Sequence, residues 1–207
     1  MGEGNVDPRW IVHLVDDSAA MRATAAAVLE AAGFVVREHA TAAGLLAEPA
    51  LPQADCILTD LRMPRIDGLE LLVRLRSAGS TVPVVVMTGH GEVSMAVRAM
   101  KLGACDFIEK PFPPETLIQA MRSAVREAGT PSNASRRALA AERLARLTDR
   151  ERQVLERILA GRTHRETGEA LGISPRTVEV FRARIMAKTQ CETLQDLVRT
   201  GLEAGLG

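Results

Sequence analysis

Val82–Met87 reads VPVVVM, an apolar run without a single charged or polar side chain. A continuous run of this length marks a strand covered on both faces, the usual state of a central strand in a parallel sheet. Working outward, Cys56–Thr59 (CILT) is a third strand that ends at Asp60, and Trp10–Val15 (WIVHLV) is a first strand that ends at Asp16 and Asp17. Val35–Glu38 and the short Asp106–Ile108 complete five. Helical patterns separate them. Ser18 is a good N-cap for a helix that stops at Gly33, and helices follow over Thr41–Glu48, Gly68–Arg76, Val93–Leu102 and Pro114–Arg126, the last with Pro at its start. Strands alternating with helices predict an α/β, doubly wound five-stranded parallel sheet. In such sheets ligands gather at the carboxyl ends of the strands, where the strand order reverses.

The polar residues of this half stand at those ends. Asp16, Asp17 and Asp60 follow strands one and three, and three carboxylates on one edge repel unless a cation holds them. Carboxylate oxygens with room for water suit Mg²⁺, which would also stabilise charge on a transferred phosphoryl group. Lys110 follows strand five with a fixed positive charge, and Thr88 ends strand four with a hydroxyl donor.

The stretches VDDS (15–18), LTDLRMPRIDGLELL (58–72), VVVMTGHGE (84–92) and GACDFIEKPF (103–112) resemble the receiver domain of two-component response regulators, a flavodoxin-like fold. The resemblance spans nearly all of residues 9–126. It implies that Asp60 is phosphorylated by a histidine kinase. It also implies that Asp17 binds Mg²⁺ directly and Asp16 through water, and that the backbone carbonyl of Arg62 completes the protein ligands. Thr88 and Phe107 would be a switch pair, Lys110 would hold the phosphoryl oxygens, and the Lys110–Pro111 peptide would be cis.

Residues 127–143 change character. Gly, Thr, Pro, Ser and Asn at the front mark a linker, and the Ala/Arg-rich end suits a helix. Residues 144–207 lack any strand pattern and predict an all-α, four-helix domain with helices at Asp149–Ala160, Arg165–Leu171, Pro175–Thr189 and Leu194–Glu203. Thr163 with Glu166 forms a capping box, Gly172 closes a short helix, and Ser174-Pro175 opens the next. In that next helix Val178, Phe181, Ile185 and Met186 form the core stripe, and Arg and Lys lie outside it. This is the layout of a helix-turn-helix that enters a major groove.

LTDRERQVLERILAGRTHRETGEALGISPRTVEVFRARIMAK (147–188) resembles the LuxR-type output domain, so that the whole chain resembles response regulators of the FixJ/NarL family, most of all its FixJ members. The resemblance implies that Glu179, Val180 and Ala183 face bases, and that Arg176, Thr177, Arg182, Arg184 and Lys188 hold phosphates. Double-stranded promoter DNA, RNA polymerase and a second copy of the chain would be the partners. Three departures from the family pattern stand out. Thr167-Gly168 replaces an Ile-Ala pair, with Gly costing about 1 kcal/mol against Ala. His164 replaces an Asn, and Phe181 replaces a His.

Helix Val93–Leu102 carries two apolar faces. One packs on the sheet. The other, with Val93, Met95, Ala99 and Leu102, is expected either to form the surface of a phosphorylation-driven homodimer or to be covered by the linker or the second domain.

Formal net charge is zero, which argues against a large polybasic surface, but residues 1–126 hold 12 basic and 15 acidic residues and residues 144–207 hold 11 and 9. Three scattered cysteines without metal-ligand spacing, no signal peptide and no long apolar run predict a cytoplasmic protein. Two alternatives remain. One is a receiver-controlled protein-interaction module with a degenerate output domain. The other is an enzyme such as a haloacid-type phosphatase, disfavoured because Asp16 and Asp17 are adjacent rather than two apart. No enzyme is expected beyond a receiver that assists its own phosphorylation and dephosphorylation.

Overall fold

A computed structural model describes residues 10–89, 93–127 and 133–206. By contacts the chain divides into two compact units, residues 1–90 with 102–130, and residues 91–101 with 131–207.

The first unit is built on strands β1 (Ile11–Val15), β2 (Val35–His39), β3 (Cys56–Asp60), β4 (Val84–Thr88) and β5 (Asp106–Glu109). All pair in parallel in the order β2-β1-β3-β4-β5. The order reverses between β1 and β3, and this is where Asp16, Asp17 and Asp60 stand. Helices α1 (Ala19–Ala31) and α5 (Pro114–Glu127) cover one face. There Val12, Leu14, Leu58, Val85, Met87 and Ile108 meet Leu29, Leu117 and Met121 in one core. Helices α2 (Ala42–Leu46) and α3 (Gly68–Ser77) also belong to this unit, and α3 buries Leu69, Leu71, Leu72 and Leu75. The expected strand over VPVVVM is confirmed from Val84 onward, where every residue is buried. It starts after Pro83, whose carbonyl still accepts from Ile57.

Within this frame the opposite face of β1 carries a polar residue that the apolar pattern hides. His13 is fully buried and its Nδ1 lies 2.9 Å from Nε2 of His39, with the rings stacked. Burial lowers the pKa of both imidazoles, which favours the neutral form.

The second unit holds α4 (Val93–Lys101), α6 (Asn133–Leu144), α7 (Asp149–Leu159), α8 (His164–Leu171), α9 (Pro175–Thr189) and α10 (Leu194–Glu203). The four helices expected over 144–207 are all present, and the Ala/Arg-rich end of the linker is helical as α6. Burial along helix α4 is uneven. Ala99 is fully buried along with Ala96, whereas Met95 is half-buried and Leu102 is exposed. The side chain of Val93 lies outside the described residues. Among the described residues no helix is long and apolar enough to cross a membrane.

Two glycines close the turns that carry function. At Gly68, the first residue of α3, a Cβ would meet the Asp60 carbonyl and stand 2.9 Å from the Leu61 Cα. At Gly168 in α8 a Cβ would lie 2.5 Å from the Ile173 carbonyl, so the residue expected only to weaken the helix also lets the α8–α9 turn pack close. Its neighbour Thr167 is fully buried with an unpartnered hydroxyl, a group that fills the core at a cost of about 1–3 kcal/mol.

Gly68→Ala should destabilise the first unit by about 1–3 kcal/mol, because backbone rather than a flexible side chain must yield. Urea unfolding followed by Trp10, the single tryptophan, which packs 5.6 Å from the Phe34 ring, measures it. An unchanged midpoint would contradict the close approach.

Candidate functional site

Each carboxylate reaches the sheet edge through its own strand. β1 ends at Val15 and leaves Asp16 almost completely buried, with Oδ1 accepting from the Ser18 amide at 2.8 Å. That bond fixes Asp16 and opens α1, whose N-cap is Ser18 as the sequence predicts. β3 ends on Asp60 itself, half-buried, while Asp17 is exposed. Oxygen atoms of Asp16, Asp17 and Asp60 all lie within 4.8 Å of one another, a spacing that could hold one metal ion.

Lys110 is the counter-charge. Its Nζ donates to Oδ2 of Asp16 at 2.9 Å and stands 3.1 Å from Oδ1 of Asp60. Its backbone is anchored by a 2.7 Å bond from its amide to the Thr88 carbonyl, and the Lys110–Pro111 peptide is cis. Burial pushes the Asp60 carboxyl above its ordinary value, and Lys110 opposes that rise.

Thr88 ends β4 and Phe107 lies in β5, both buried. Phe107 is in register with Val86, two residues before Thr88. Side chains two apart on a strand share a face, so Thr88 and Phe107 project to the same side of the sheet. Arg62 lies in the β3–α3 loop with its side chain exposed. Beside Asp17 opens a cleft of about 310 Å³ lined by Thr41, Ala42, Met63, Pro64 and Ile66, which the apolar patterns do not announce.

In the second unit the turn between α8 and α9 is built by caps. Thr163 and Glu166 form the expected capping box, and Ser174 accepts from the Thr177 amide at 3.0 Å with Pro175 opening α9. Val178 and Ile185 are fully buried, and Phe181 and Met186 half-buried. Glu179, Val180, Ala183, Arg176 and Arg184 are exposed, and Thr177 and Arg182 half-buried.

Lys188, expected as a phosphate contact, also has a partner within its own unit. Its Nζ lies 2.7 Å from Oε2 of Glu151, a buried carboxylate that also accepts from the amide and hydroxyl of Thr148. These bonds, the one from Lys188 foremost, lower the Glu151 pKa. The sequence signal was the Thr148/Glu151 capping box, but its link to Lys188 spans 37 residues and no local pattern shows it. Glu179 has a neighbour on another helix, with Oε1 3.6 Å from Nδ1 of His164, an ion pair when the imidazole is protonated.

Known proteins share both halves. Residues 12–122 match the response regulator receiver domain, and residues 145–200 match the family of bacterial regulatory proteins named for luxR. The transcriptional regulatory protein FixJ of Azorhizobium caulinodans is 46% identical over 94% of this chain and 93% of its own length. The tetrathionate response regulatory protein TtrR of Salmonella typhimurium is 40% identical over 91% and 90%. Among solved structures, full-length FixJ from B. japonicum covers 97% of this chain and 100% of its own, with 42% identity and a TM-score of 0.55.

Because its folded-state pKa is lowered, Glu151 adds stability above its ordinary pKa and loses it as pH falls through the lowered one. Glu151→Gln should cost about 1–2 kcal/mol near neutrality, discounted for the part-exposed lysine. The difference from wild type should hold from neutrality down to the ordinary carboxylate pKa and shrink as the pH falls below it. Urea melts by circular dichroism check this, and a gap independent of pH would contradict it.

Proposed function

This chain belongs to the two-component transcriptional response regulators that join a receiver to a LuxR-type DNA-binding domain, and on that premise we propose that Asp60 accepts a phosphoryl group from a histidine kinase. We take residues 9–126 as receiver, 127–143 as linker and 144–207 as output domain. The observation that carries the assignment is the position of the Asp60 carboxylate, within reach of both Lys110 and the Asp16/Asp17 pair.

The carboxylate oxygen of Asp60 attacks phosphorus, and the donor's nitrogen or oxygen leaves. Lys110 stays close enough to pair with the oxygens that the new group brings to the edge. Asp16, Asp17, Asp60 and the Arg62 carbonyl would hold Mg²⁺, which when bound offsets the charge of the phosphoryl oxygens. Thr88 turns its hydroxyl toward the phosphoryl group, and Phe107, on the same face of the sheet, follows into the space released.

Phosphorylation then favours a homodimer, which presents two copies of α9 to a two-fold DNA site. If α4 forms its surface, Ala99 must first be uncovered. In α9, Glu179, Val180 and Ala183 face bases, and Arg176, Thr177, Arg182 and Arg184 meet phosphates. Lys188 is left out because its charge is already committed to Glu151. The bound dimer acts on transcription through RNA polymerase in the cytoplasm. No other reaction is assigned beyond the receiver's help in its own phosphorylation and dephosphorylation.

Treatment of the full chain with acetyl phosphate and Mg²⁺ should raise its affinity for a selected duplex by about 5- to 150-fold, the range of ordinary coupling energies. Asp60→Asn should show no rise while keeping the basal affinity, measured by fluorescence anisotropy. An equal rise in the variant would contradict the assignment.

A further inference from the structure

We infer that His164 is a positioning residue for DNA specificity: it holds the Glu179 carboxylate toward the bases and away from the arginines of its own helix. This rests on the reading of Glu179 as a base contact.

The two residues belong to different helices whose relative placement is fixed. His164 is the first residue of α8, directly after the Thr163 cap. The cap is tied twice to Glu166, by the Thr163 amide at 2.8 Å and its hydroxyl at 2.9 Å. Glu179 lies in the second turn of α9, whose start is held by Ser174. The turn between them closes over Gly168, where no Cβ fits below the Ile173 carbonyl. The imidazole and the carboxylate therefore meet because of the backbone, with Nδ1 3.6 Å from Oε1.

What this contact does follows from the alternatives open to Glu179. Its side chain is 61% exposed and has three rotatable bonds. Arg176 is three residues before it and Arg182 three after, and such neighbours meet on a helix surface. A carboxylate turned to either would leave the base edges and also neutralise a phosphate contact. Among the described residues the contact of its carboxylate is with neither arginine but with His164, across the turn, an ion pair when the imidazole is protonated. On a surface that faces phosphates, that contact favours keeping an acidic side chain in place, where its oxygen can accept from a cytosine amino group. His164 itself is half-buried and does not belong to the buried core, so truncating it acts first on this contact.

The experiment selects binding sites from a random duplex library with the phosphorylated full chain, its His164→Ala, His164→Asn and Glu179→Ala variants, and the double His164→Ala/Glu179→Ala variant. Affinities are then compared for the selected site and for the same site with the Glu179-dependent base replaced. Asn is the conservative choice because its amide nitrogen falls near the place of Nδ1. Glu179→Ala should lose discrimination at one base per half-site by about tenfold. His164→Ala should lose about threefold at that same base, with affinity for random DNA within about twofold of wild type. His164→Asn should restore most of the discrimination. In the Glu179→Ala background, His164→Ala should change nothing further, the sign of one coupled unit. Circular dichroism confirms the fold of each variant, and His164→Ser replaces His164→Ala should the latter not fold.

Three results overturn the inference. A uniform loss of affinity with the preferred site intact makes His164 a phosphate contact. A loss at that base that persists without Glu179 makes His164 a reader of bases in its own right. An unaltered site for Glu179→Ala removes the base-reading role of Glu179, and the inference with it, a failure distinct from the other two.

Discussion

Lys110 reaches two carboxylates at once across the carboxyl edge of the sheet, 2.9 Å from Asp16 and 3.1 Å from Asp60. Its strand β5 lies two places from β3, roughly 10 Å at ordinary strand spacing. Only a long cationic side chain spans that gap, passing the end of β4 where Thr88 stands. The arrangement therefore depends on the strand order, since β1 and β3 must be neighbours for Asp16 and Asp60 to share one cation. It also depends on close backbone approach. Gly68 allows α3 to begin against the Asp60 carbonyl, so the loop after Asp60 turns back sharply. The buried strands serve as a rigid frame for a few charges that would repel each other without Lys110.

The same logic of a fixed backbone carrying adaptable side chains runs through the helical unit. Caps from Thr148, Thr163, Ser174 and Thr193 set where each helix begins. The buried Glu151 ties the start of α7 to the end of α9 through Lys188. The exposed face of α9 carries Glu179, Val180, Ala183, Arg176 and Arg184. The departures at Thr167 and Gly168 leave the turn closed, at the expense of one buried hydroxyl without a partner.

Much of this was legible in the sequence because the determining signals are local. Apolar runs gave the strands, and Ser18, Thr163 and Ser174 gave helix starts through side-chain oxygens that reach only three residues. Aspartates directly after strands gave the acidic cluster. What could not be read depends on contacts between distant segments. The pairing of Lys188 with Glu151 looks in sequence like one more basic residue outside the core stripe. Burial of Ala99 requires knowing what packs on α4, and periodicity shows only that two faces are apolar. The reverse error occurred at Gly168, where propensity reported a cost and was silent about the carbonyl 2.5 Å from its missing Cβ.

The central claim is that the carboxylate facing Lys110 takes the phosphoryl group. Chemical trapping addresses it most directly. After treatment of the full chain with acetyl phosphate and Mg²⁺, borohydride reduces an acyl phosphate to an alcohol, which turns a modified aspartate into homoserine. Peptide mapping by mass spectrometry should place homoserine at position 60, with Asp16 and Asp17 recovered intact. Homoserine at position 16 or 17, or at any site remote from Lys110, would contradict the account.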